Sequence, residues 1–292
     1  MAPRTLSRPG QALMLAMATA LLAGCAAAPT SPASSQRREA VADLNQAIGQ
    51  LASQAWACLD APPVGWNAAG LAALAEHAGL WADHFTVEGV SAAPACVPQE
   101  LALQTRRVAT LGARLGATDS SDAAALVAMT RGLRVDLALG SDLMPPEVAG
   151  VLTAGPEVLS DLALAEDQAH FQLQYLAANT EPDPEEPDTD TAPLRQDLVA
   201  LAALHAERAE VLGRALALAD QADPRQAAYQ INPTATVDAA AIQAEVARIE
   251  IALAYHYAAL PFNTGAEDLV TWQLLQAHAW GASLNPFPFL QG

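Results

Sequence analysis

Five side chains that could do chemistry fall inside or along the edges of apolar seams in the C-terminal half of the chain. In the series Leu159, Leu162, Glu166, Ala169, Leu173, Leu176 the step alternates between three and four. That spacing places Glu166 in mid-seam, with His170 one turn on at the seam's edge. The series Leu194, Leu198, Leu201, His205, Arg208, Leu212 turns His205 and Arg208 inward in the same way. On a third stripe of Ile242, Val246, Ile249 and Leu253, Glu250 and Tyr257 flank one side and Glu245 and His256 the other. Inward carboxylates and a histidine can ligate iron or another transition metal. They can equally form a buried polar network that fixes helix register, with Glu166 and Glu250 pairing with Arg208 and hydrogen-bonding His205. Arg208 argues for the network, because a cation repels a metal held beside it. Metal binding stands as the competing reading, and no cofactor is assigned.

Other constellations carry less. His77 and His84 are seven apart, with Glu76 and Asp83 alongside. They could ligate zinc or copper. The alternative is the polar flank of an amphipathic helix whose core face is Leu71, Leu74, Ala78, Trp81 and Phe85. All 14 cationic residues are arginine and lysine is absent, which excludes Schiff-base catalysis, lysine general bases and the phosphate-cradling Gly-Lys loop. A net charge of -18 excludes a nucleic-acid partner, since phosphate binding needs clustered cations. No Gly-x-Ser-x-Gly, His-Glu-x-x-His or Cys-x-x-Cys motif is present.

The elements that must position these residues are helices. Hydrophobic residues make up 52% of the chain and aromatics only 5%, so the apolar content is mostly alanine and leucine, the composition of packed helices. The periodicity predicts an all-α fold with helices over Arg38–Leu59, Ala68–Phe85, Gln99–Leu115, Ser121–Leu139, Pro145–Leu152, Pro156–Ala178, Leu194–Asp220, Val237–Leu260 and Glu267–Ser283. In the last helix Trp272, Leu275, Gln276, His278 and Trp280 are expected near the buried surface. The stretch Thr180–Thr191 holds six acids and three prolines and is expected to be a mobile loop. We divide the chain into a helical region over 39–155 and four long helices over 156–292.

The N-terminus carries an address. A leader with Arg4 and Arg8 precedes the apolar run Ala12–Leu22, about half the roughly 20 residues needed to cross a bilayer, as in a signal peptide. The run ends in Leu22-Ala23-Gly24-Cys25, which resembles the lipobox of bacterial lipoproteins. That resemblance implies cleavage before Cys25, lipidation of its sulfur, and anchoring to the extracytoplasmic face of the membrane. Residues 25–38 then form a flexible tether. In that oxidising setting the two remaining cysteines, Cys58 and Cys96, are expected to pair.

From Pro156 onward the chain also resembles the ferritin-like domain of unknown function found in secreted proteins and lipoproteins of high-GC Gram-positive bacteria. The matching features are Glu166 to His170 in the first helix, His205 and Arg208 in the second, and the connector Ala228-Tyr229-Gln230-Ile231. Glu250 in the third helix and the tail containing Phe287 and Pro288 complete them. The resemblance implies a four-helix bundle, and its class uses a di-iron site built from two Glu and two Glu-x-x-His motifs. Here the chain departs: Ala202, Leu253 and Leu275 stand three before His205, His256 and His278, and only Asp167-x-x-His170 has the right offset. The function expected from all this is a non-catalytic binding or scaffold lipoprotein of the cell envelope, partnered with the membrane through its anchor and with an envelope protein or small ligand. The alternative is a metal-binding or ferritin-like oxidase lipoprotein.

Overall fold

The structure is a computed structural model that describes residues 32–90, 93, 95–118, 122–141, 143–180, 191–231, 238–261 and 265–290. The signal peptide, Cys25 and the interior of the acidic stretch, 181–190, lie outside the described residues. The fold is all-α: helices α1 (Pro32–Ala57), α2 (Ala68–His84), α3 (Pro98–Gly116), α4 (Ala123–Ala138), α5 (Pro156–Asn179), α6 (Thr191–Leu218), α7 (Ala239–Ala258) and α8 (Glu267–Ala279). Among the described residues there is no strand.

Local chemistry sets the helix starts. Asn67 accepts hydrogen bonds from the backbone N–H groups of Ala69 and Gly70 at the head of α2, and Asp238 accepts from that of Ala241 at the head of α7, each satisfying donors that the first turn leaves free. Proline stands at the first position of α3 and α5, where its missing N–H costs no helical bond. Two expected elements differ. The helix predicted over 145–152 is a single 3₁₀ turn at Val148–Val151, because Pro145 and Pro146 leave too few residues for a stable α-helix. The part of the predicted tether that is described, 32–38, belongs to α1, since past Pro32 its Ala, Ser, Gln and Arg residues contain no breaker.

Residues 43–292 form one compact unit, with contacts across residue 155. Helix α4 carries the link. Arg131 on α4, 6% exposed, donates from Nε and Nη2 to both carboxylate oxygens of Glu267 on α8 (3.1 and 2.9 Å) and to the carbonyl of Ala258 at the end of α7 (3.1 Å). The C-terminal tail is held against α2, where the Trp81 indole donates to the carbonyl of Pro286 at 2.8 Å. Cys58 and Cys96 are joined in a disulfide, with Cα atoms 4.7 Å apart, as the cysteine count predicts.

Helices α5 to α8 contribute to a shared interior with two apolar clusters. One gathers Leu173, Leu176, Leu198, Leu201, Val246, Ile249 and Trp272. The other gathers Leu159, Leu162, Leu212, Leu216, Leu269 and the ring of Tyr257. Along α5 and α6 the polar residues Glu166, His205 and Arg208 lie between the positions that feed these clusters.

Candidate functional site

Four helices each supply part of a buried polar cluster. Glu166 from α5, His205 from α6 and Glu250 and Tyr257 from α7 are all at 0% exposure, as is Gln273 from α8, and Arg208 from α6 is at 3%. His205 stands between the two carboxylates: Nδ1 donates to Glu166 Oε2 at 2.6 Å and Nε2 to Glu250 Oε1 at 3.1 Å. An ionised carboxylate only accepts, so two donations require the doubly protonated ring. Burial by itself depresses the His205 pKa. The Glu166 charge, with hydrogen bonds to both carboxylates, overcomes that and lifts it to about 9. Burial pushes the Glu250 carboxyl up, against the hydrogen bond and charge of His205.

The outer contacts complete the cluster. Tyr257 donates its hydroxyl to Glu166 Oε1 at 2.5 Å, and burial holds that phenol well above its usual range, reinforced by the Glu166 charge. Arg208 Nη1 lies 3.8 Å from Glu166 Oε1 and Nη2 donates to the carbonyl of Pro146 at 3.0 Å. Its guanidinium stacks on the Trp272 ring, 4.6 Å from the centroid. The Gln273 amide, in the orientation that satisfies both neighbours, donates to Glu250 Oε2 and accepts from Arg208 Nη1 at 3.1 Å. Arg208 Nε is buried without a hydrogen-bond partner. Two carboxylates thus face one imidazolium and one guanidinium, a balanced set in which removal of any member strands a buried charge.

No protein-family model, curated protein or solved structure matches the chain. The functional reading therefore rests on this geometry and on the sequence.

The di-metal chemistry that the ferritin-like resemblance implies does not fit these residues. Both nitrogens of His205 are committed to carboxylates. All four carboxylate oxygens of Glu166 and Glu250 already face a donor. Among the described residues, no group of three or more His, Cys, Asp or Glu side chains is placed to hold a metal ion.

Of the five residues singled out by seam spacing, four converge and one does not. Half-buried His170 hydrogen-bonds through Nδ1 to the carbonyl of Ala202 at 2.9 Å, away from the charged cluster. Its would-be partner Asp167 instead accepts from the hydroxyl of Tyr229 at 2.5 Å, so the one Asp-x-x-His pair points at two different neighbours. Gln273 and the carbonyl of Pro146 are members that seam spacing did not reveal. Helix α8 buries polar Glu267, Thr271 and Gln273 alongside Leu269, Val270 and Trp272, which erases the apolar stripe that would have flagged them. His278, expected near the buried surface, hydrogen-bonds through Nδ1 to the carbonyl of Ala282 at 2.8 Å.

The His77 and His84 pair also separates. His77 is not on a polar flank: it is 5% exposed and its Nδ1 meets both oxygens of Asp136 on α4 at 2.9 and 3.0 Å. Burial raises the Asp136 pKa, opposed by that hydrogen bond. His84 is exposed and packs its ring on Phe85 and Phe287.

Proposed function

We propose that the chain is a lipid-anchored protein of the extracytoplasmic face of the cell membrane, with a non-catalytic binding or scaffolding role. In this reading its last four helices are a ferritin-like bundle in which an ion-pair network replaces the metal pair. The observation that carries the bundle reading is the charge-balanced cluster, in which His205 bridges Glu166 and Glu250 and uses both ring nitrogens to do so. Ligands committed in this way hold helices in register and leave no open coordination position. The anchoring reading is supported by the leader and the Leu22-Ala23-Gly24-Cys25 box. No helix among the described residues is long and apolar enough to cross a membrane, so a span is not supplied by that part of the chain.

Two measurements test the two halves separately. Mass spectrometry of the N-terminal peptide from the membrane fraction is expected to show Cys25 as the first residue, carrying acyl chains, and Cys25→Ala is expected to release the protein from the membrane. An unmodified Cys25 would overturn the anchor. Elemental analysis of chain purified without chelator is expected to show no stoichiometric iron, manganese or zinc, with no uptake of added Fe(II). Stoichiometric iron would transfer the bundle to the oxidase reading.

A further inference from the structure

Outside the network a cleft of about 880 Å³ opens between the start of α6, Gln243 on α7, the second half of α8 and the segment around Pro145. That volume falls within the ~300–1,000 Å³ typical of small-molecule sites. Trp272 and Trp280 both line it. The Trp272 ring is only 4% exposed and carries the Arg208 guanidinium on one face, and Trp280 is half-buried against the apolar core. Trp280 therefore supplies the ring face open to a ligand, Asp197, Gln243 and Gln276 supply the polar side, and leucine, proline and alanine side chains line the rest. None of the three polar side chains hydrogen-bonds or ion-pairs with another described residue, and neither does the indole N–H of Trp280.

The chemistry of the lining selects among ligands. No cationic side chain lines the cleft, so a phosphate or carboxylate would find no charged donor there. An organic cation would use Asp197 and the Trp280 ring face but leave the donating halves of both amides idle. Asp197 accepts, the two glutamines both donate and accept, and the indole donates. A ligand that matches such a mixed set needs groups that donate and accept in turn, together with a flat apolar face for the indole. Sugar hydroxyls and the C–H face of a pyranose ring have those properties. We propose that this cleft binds a neutral hexose-based oligosaccharide. The inference deepens the binding role proposed above and rests on it for its setting, but the recognition itself requires neither the lipid anchor nor a metal-free bundle.

The test is titration of the full chain, in a detergent without a sugar headgroup, with maltotetraose and with the N-acetylglucosamine tetramer, followed by calorimetry and tryptophan fluorescence. Saturable binding of one of them is expected, with Kd between about 10 μM and 1 mM. Trp280→Ala and Gln276→Ala should each weaken it by about tenfold or more. Because Trp280 also packs on the core, Gln276→Ala and Asp197→Asn carry the test if Trp280→Ala melts early. The inference is overturned if neither sugar saturates up to about 10 mM, if the variants bind as wild type does, or if spermidine saturates the cleft where the sugars do not. Since the measurement reports neither acylation nor iron, its failure would leave the anchor and bundle readings to their own assays.

Discussion

At the scale of single residues, the buried quartet is where substitution should be felt most. Arg208 is 3% exposed and faces Glu166 directly and Glu250 through Gln273. Arg208→Leu should strand buried negative charge and cost about 3–5 kcal/mol, measured by urea unfolding at neutral pH. A variant as stable as wild type would show that the guanidinium contributes packing alone. His205 makes stability depend on pH in a defined direction. Its folded pKa of about 9 lies above the 6.5 of an unperturbed histidine, so the folded state holds the proton more tightly than the unfolded chain does. That stabilisation is fully present below about pH 6.5 and is lost as pH rises through about 9, a swing of about 3 kcal/mol. Glu250, pushed up by burial, acts with the same sign, favouring the folded state at lower pH. Unfolding free energies measured from pH 6 to pH 10 should therefore fall for wild type. For His205→Gln the slope in the alkaline arm should flatten, and an unchanged slope would assign the proton elsewhere.

At the scale of elements, the close approach of α2 and α4 depends on Gly70. A Cβ added there would meet the carbonyl oxygen of Asp136 at 2.5 Å and that of Leu139 at 3.3 Å. Both are backbone atoms, so relief requires the helices to part, and with them the His77–Asp136 contact. Gly70→Ala should cost about 1–3 kcal/mol despite the better helix propensity of alanine, with the thermal midpoint as the readout. The disulfide acts between elements too, joining the end of α1 to the approach to α3 across a separation of 38 residues. Its removal should cost about 3–4 kcal/mol on the loop-entropy account, measured by melting Cys58→Ser/Cys96→Ser beside wild type. Most of the helices themselves were legible in the sequence, because long apolar seams at three- and four-residue spacing have one dominant solution. Helix α8 was legible in place but not in its buried face: with Gln273, Thr271 and Glu267 turned inward, hydropathy carries no stripe to read.

At the scale of the whole molecule, residues 43–292 form one unit, and Arg131 is one of several residues, with Trp81 and Arg208, whose hydrogen bonds cross the expected boundary. The pairing of Arg131 with Glu267 joins α4 to α8 and its hydrogen bond to Ala258 reaches the end of α7. Chemical denaturation should accordingly give coincident transitions by far-ultraviolet circular dichroism and by tryptophan fluorescence. Two separated transitions would show regions that unfold independently, as a division near residue 155 would. The acidity of the chain, net -18 with no lysine, makes each buried arginine conspicuous, and both Arg131 and Arg208 serve to neutralise carboxylates inside the fold.

The sequence by itself determined the all-helical class, the pairing of Cys58 with Cys96, and the inward placement of Glu166, His205, Arg208 and Glu250. Each of these follows from local rules, since helical periodicity, residue counting and seam position involve only neighbours along the chain. Tertiary structure alone decided that His205 bridges both carboxylates while His170 turns to Ala202. It also decided that Gln273 and Pro146 complete the set and that Arg131 ties the two halves together. The reason is physical: a seam position says that a side chain faces inward, but which donor meets which acceptor depends on the rotation and axial offset of helices far apart in sequence. Those offsets are set by how all the apolar faces pack at once.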